Sequence, residues 1–165
     1  MKTLIIAILT FSTSLIIAQN TVTWVGGTPG NETSWEEPKN WSDNKVPNEN
    51  SVVIIKDFNS GHNAQPVITE NVEVASIEIQ ANAQLTIEEN GELIIDGSFT
   101  YSEGISVYGG EVINKGTVHL YSLSVDLTED YFNKIQNTGY VFMDDKLKVG
   151  EEEILSSKGQ LVHRN

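Results

Sequence analysis

Three consecutive eight-residue units, residues 76–83, 84–91 and 92–99, carry an apolar pair at the same two places: Ile77 and Ile79, Leu85 and Ile87, Leu93 and Ile95. The members of each pair are two residues apart, so both point to one side of an extended strand. Each unit then breaks at small or turn-forming residues. A short strand followed by a corner cannot bury its apolar face alone and must stack on neighbours. The cadence therefore predicts an all-β fold, a right-handed parallel β-helix (solenoid) whose coils take roughly 20–30 residues, about three units each. The alternative is an antiparallel β-sandwich or meander.

Residues 51–126 continue the pattern. Val52 to Ile55 form an apolar run suited to a strand buried on both faces. Short alternating stretches follow around Val67, Val72, Ile105, Val112, Val118 and Leu123. Asn90-Gly91, Asp96-Gly97, Glu103-Gly104, Gly109-Gly110 and Asn114-Lys115-Gly116 separate them, residue types that turn the chain readily. Asn90-Gly91 between alternating strands is a hairpin signal and favours the antiparallel alternative locally. The regular spacing favours the solenoid.

The two ends differ in texture. Residues 1–18, with Lys2, an apolar stretch and Ala18, read as a secretory signal peptide. Residues 19–50 hold all three tryptophans among Gly, Pro and Asn, and read as an irregular cap with one strand near Val22. Residues 127–165 read as C-terminal coils or a closing cap. There Thr128 caps an expected short helix over 128–136, and strands are expected at 140–143, at 146–149 and near Leu161. The formal net charge is −13, and it becomes −14 when Lys2 leaves with the signal. Such a surface argues against nucleic acid and against anionic membranes, and no membrane insertion is expected after signal cleavage. The absence of cysteine excludes disulfides, thiolate zinc sites and thiol catalysis.

The cap carries an ordered series: Trp24-Val25-Gly26-Gly27, Ser34-Trp35, Asn40-Trp41-Ser42, Val46-Pro47, Val52 to Ile55, then Pro66-Val67-Ile68. The series resembles the opening of secreted bacterial β-solenoid proteins, especially surface and adhesin-like proteins of the Bacteroidetes. The rungs Ala83 to Ile87 and Gly91 to Ile95 are similar to theirs. The resemblance implies export to the cell surface or medium, with a periplasmic home as the alternative. It implies a parallel β-helix, a role in adhesion or envelope architecture, and no catalytic residue.

His62, His119 and His163 belong to separate local patterns, and none stands at a metal-binding spacing. His119 alternates with Val118 and Leu120 and is expected to face solvent. Acidic side chains are plentiful, but Arg164 is the only arginine, so a polysaccharide-cleaving centre is not expected and the chain is read as a non-enzyme. Calcium is the one cofactor considered, with oxygen ligands from Asp43 and Asn44, Asp57 and Asn59, Glu88 to Asn90, or Asp144 and Asp145. No calcium-loop motif is present. An extracellular polysaccharide or surface glycan is the partner considered. Trp35 and Trp41, with Asn40 and Asp43, have the chemistry of a carbohydrate-binding site, and Trp35, flanked by two glutamates, is the ring expected to be exposed. The competing reading makes these rings the plug of the solenoid.

Overall fold

A computed structural model describes residues 20–56, 64–80, 82–95, 104–120, 135–144 and 160–164. The signal segment, the expected strands at 122–125 and 146–149, and the ligand pair at 57 and 59 lie outside these. Among the described residues thirteen short strands are formed: β1 (Asn20–Thr23), β2 (Ser51–Ile55), β3 (Val67–Ile68), β4 (Asn71–Val74), β5 (Ser76–Gln80), β6 (Gln84–Ile87), β7 (Glu92–Ile95), β8 (Ile105–Tyr108), β9 (Glu111–Asn114), β10 (Thr117–Leu120), β11 (Ile135–Asn137), β12 (Tyr140–Asp144) and β13 (Gln160–Arg164). They assemble into three sheets, in the orders β1-β2-β5-β8, β11-β9-β6-β3 and β13-β12-β10-β7-β4, here called the first, second and third.

Every pairing between these strands is parallel. From β2 to β10 the chain visits the first, second and third sheets in turn and then repeats, which is the path of a right-handed parallel β-helix. One circuit from Glu92 to its partner Thr117 takes 25 residues, and one from Ile77 to Ile105 takes 28. The sandwich alternative is excluded.

The three eight-residue units are the three walls of one coil, β5, β6 and β7. Leu85 and Leu93 thus sit side by side around a turn, and each stacks on residues one coil away. Val72, Leu93, Val118, Val141 and Leu161 align in the third sheet, Leu85 with Val112 in the second, and Val53, Ile77 and Ile105 in the first. Leu85, Ile87, Leu93 and Ile95 are fully buried. Each such side chain contributes roughly 1.5–3 kcal/mol of burial free energy, and stacking gives each one an apolar neighbour above or below.

Three local expectations are corrected. Asn90-Gly91 makes no hairpin: it turns the corner between β6 and β7, which lie in different sheets. A Cβ on Gly91 would stand 2.5 Å from the Ile68 carbonyl oxygen of the coil beneath, so this glycine answers to close approach. β2 is fully buried on one face only, because Val52 and Ile54 alternate outward as half-buried residues. The last two residues of the expected helix, Ile135 and Gln136, lie in strand β11, paired with β9; the rest of that helix lies outside the described residues.

The corner between the second and third sheets repeats in three successive coils. Gly91, Gly116 and Gly139 stand one above another, linked by the Thr117 N–H to the Gly91 carbonyl (3.0 Å) and the Tyr140 N–H to the Gly116 carbonyl (2.8 Å). Just inside, Asn114 and Asn137 are buried, and the Asn114 Nδ2 donates to Asn137 Oδ1 at 2.8 Å. The same Nδ2 donates to the Tyr140 carbonyl at 3.1 Å, so the amide meets a backbone acceptor at this corner.

Candidate functional site

The Trp-rich segment closes the first coil. Trp41 meets Trp24 edge to face at 4.9 Å between ring centroids and Trp35 at 4.6 Å. All three indoles are 1 % exposed. The Trp24 Nε1 donates to the Ala64 carbonyl at 2.8 Å, and the Trp41 Nε1 to the Trp35 carbonyl at 2.7 Å. Two of the three buried indoles thus find an acceptor, whereas Trp35 Nε1 meets none among the described residues. Gly26 lets the chain pass: its φ is +59°, and a side chain there would collide with the Ala64 carbonyl and the Trp24 ring.

Asn40 holds the plug together. Its Oδ1 accepts the Thr28 N–H at 3.0 Å, and its Nδ2 donates to the carbonyls of Asn31 (2.7 Å) and Ser34 (2.9 Å). It is fully buried at the end of a 3-10 turn, Pro38–Asn40, in which the Glu37 carboxylate accepts the Lys39 N–H. Ser42 closes the outer edge of β1, accepting the Thr23 N–H on its Oγ and donating its own N–H to the Thr23 carbonyl, both at 3.0 Å. The bridge between Ser34 and Val67 extends the second sheet downward. Edge strands left bare invite association, and these contacts cover the end that the coils expose.

Of the four residues singled out in the sequence, Trp35, Trp41 and Asn40 are therefore inside the plug. The exposure expected of Trp35 is corrected: its backbone N–H bonds to the Val67 carbonyl, and that anchor turns the ring inward. Asp43 is different. It is half-buried on the wall of a cavity of about 250 Å³, with Asn20, Val22, Lys45, Val46, Pro47, Asn48, Asn50 and Ser51. Sequence reading missed these neighbours, which come from two segments some twenty residues apart. The one local signal was the Asn- and Pro-rich run after Trp41.

The outward faces of the sheets carry polar ladders. Glu111 accepts from the Gln84 and Gln136 amides, one on each carboxylate oxygen, both at 2.7 Å. On the third sheet Glu92 receives the Asn71 amide at 3.0 Å and meets His119 Nε2 at 2.7 Å. His119 does lie on the outward face, but its side chain is only 12 % exposed, because its ring stacks on Phe142 at 4.8 Å. Lys115 bridges to Glu88 at 2.9 Å, so Glu88 is engaged with a cation of the next coil. Among the described residues no group of three or more His, Asp or Glu side chains is placed to hold a metal ion. Glu36 has its carboxyl pushed up by partial burial and by the charge of Glu70. Glu32 is pulled down by the hydrogen bond that it accepts from the Gly30 N–H at 2.9 Å.

Compared with known proteins, residues 23–108 match the family described as "Domain of unknown function (DUF8693)". The match begins at the strand that Ser42 caps and runs through the second complete coil into β8. No curated protein and no solved structure matches the chain.

Proposed function

The chain belongs to the family described as "Domain of unknown function (DUF8693)", and we propose that it is a secreted or cell-surface, non-enzymatic β-solenoid serving adhesion or envelope architecture. The observation that carries this reading is the build of the outer walls. Side chains of successive coils are matched in register, Gln84 with Glu111 and Gln136, Asn71 with Glu92 and His119. They give broad, rigid polar surfaces suited to contact with an extended partner. The likeness of the opening series to adhesin-like Bacteroidetes proteins and the signal-like leader support export. The acidic surface favours a neutral partner, such as an extracellular polysaccharide or surface glycan, over nucleic acid or an anionic bilayer.

Fractionation of the native host with an antibody to the folded chain tests location. Recovery from the outer surface or medium is expected, and recovery from the cytoplasm overturns the proposal. Deletion of the gene should reduce attachment of cells to polysaccharide-coated surfaces. Unchanged attachment together with unchanged envelope integrity counts against both roles.

A further inference from the structure

We infer that the cavity beside Asp43 is a binding site for a single neutral pyranose, such as the terminal sugar of a surface glycan. The inference rests on the attachment reading above and gives it a recognition site. The floor of the cavity is apolar, made by buried Val22 with half-buried Val46 and Pro47, and the rim is polar. That combination suits a sugar ring, whose C–H face packs on apolar surface while its hydroxyls seek both donors and acceptors.

The rim is fixed before any ligand arrives. Asp43 Oδ2 accepts from the Asn20 amide at 3.0 Å and Oδ1 from the Lys45 N–H at 3.1 Å. Each carboxylate oxygen has a lone pair to spare for a hydroxyl. Asn48 Oδ1 accepts the Asn50 N–H at 3.0 Å and the Ser51 hydroxyl at 3.3 Å, and the Asn48 N–H donates to Ser51 Oγ at 3.0 Å. With its oxygen so held, the Asn48 amide nitrogen is oriented to donate. Preorganised groups lose little freedom on binding.

Charge selects against the other ligand classes. One carboxylate and one ammonium, Asp43 and Lys45, share the rim, so the cavity has little net charge of its own. The surrounding chain is strongly acidic, which disfavours phosphates, sulfates and uronates. A lone carboxylate is too few ligands for calcium. The volume admits one sugar ring, so a ligand of about twelve heavy atoms sets the affinity, and a Kd on the order of 1 mM follows from usual ligand efficiencies. Avidity would come from many copies facing a repetitive glycan.

The test is a ¹H–¹⁵N titration of the exported chain with the methyl pyranosides of glucose, galactose, mannose and N-acetylglucosamine. At least one should give saturable shifts in the amides of Asn20, Lys45, Asn48 and Asn50, leaving Gly139 and Tyr140 unmoved. Asp43→Ala should weaken that binding at least tenfold while the remaining spectrum stays that of the folded protein. No shift with any of the four, or equal binding by Asp43→Ala, overturns the site. The attachment assay separates the two readings: attachment by a wild-type chain whose cavity binds no sugar sinks this inference alone, whereas attachment lost together with sugar binding in Asp43→Ala supports both.

Discussion

Gly116→Ala gives a prediction whose sign depends on the stacked coils. Gly116 does not have a positive φ, so alanine suits its backbone. In open space the change would stabilise by about 0.4–1 kcal/mol, because it restricts the unfolded chain. In the solenoid, the new Cβ would fall onto the Glu88 and Gly91 carbonyl oxygens of the coil beneath. These are backbone atoms already committed to the Thr117 and Gly91 N–H groups, so they cannot move aside cheaply. Overpacking of this kind costs about 1–3 kcal/mol, here toward the upper end. Less the unfolded-state gain, a net loss of about 2 kcal/mol is expected, a Tm lower by roughly 5–8 °C for a domain of this size. Thermal unfolding followed by circular dichroism of the mature chain reads this directly. A variant as stable as the wild type, or more stable, would mean that no coil lies against Gly116, and the reasoning would be refuted.

Other outcomes follow from the cap and its charges. Asn40→Ala removes three hydrogen bonds and strands the Thr28 N–H, while the Asn31 and Ser34 carbonyls keep the N–H groups of Ser34 and Glu37; urea unfolding should show a loss of about 3 kcal/mol, and less than about 1 kcal/mol would contradict the role of this amide. Deleting residues 19–50 uncovers β2 and the apolar interior, so the product should aggregate; a soluble, monomeric, folded fragment would contradict the plug. The Glu36 carboxyl sits above its ordinary value of 4.5, so the folded state holds this proton more tightly than the unfolded chain. Its contribution to stability is full below that value and is lost as pH rises through the folded pKa. A ¹³C titration should place Glu36 above the ordinary glutamate range, and Glu70→Gln should bring it down; an unmoved midpoint would contradict the coupling.

Much of the architecture was legible because each wall of the coil is a short alternating strand. Period two is a local property, and Ile77 with Ile79, or Leu93 with Ile95, declares it without reference to the rest of the chain. What local pattern cannot show is which coil a residue meets. Gly91 looked like half of a hairpin turn, yet its constraint is the Ile68 carbonyl, twenty-three residues earlier. Ile135 looked helical beside Tyr131 and Phe132, but Asn137 joins Asn114 across the same interval and draws β11 onto β9. Trp35 looked exposed ahead of Glu36 and Glu37. In an irregular segment alternation has no force, and the hydrogen bond to Val67 set its direction. The chemistry of the cap was readable as residue types, whereas the cavity beside Asp43 was not, since β1 and the turn before β2 meet only once the first coil is laid down.

The most direct test of the parallel stack is a methyl-resolved NOESY experiment on the isotopically labelled mature chain. Contacts from the Leu93 methyls to those of both Val72 and Val118, and from Leu85 to Val112, are expected one coil apart. Antiparallel Hα–Hα contacts joining residues 84–87 to 92–95 through Asn90-Gly91 would contradict it.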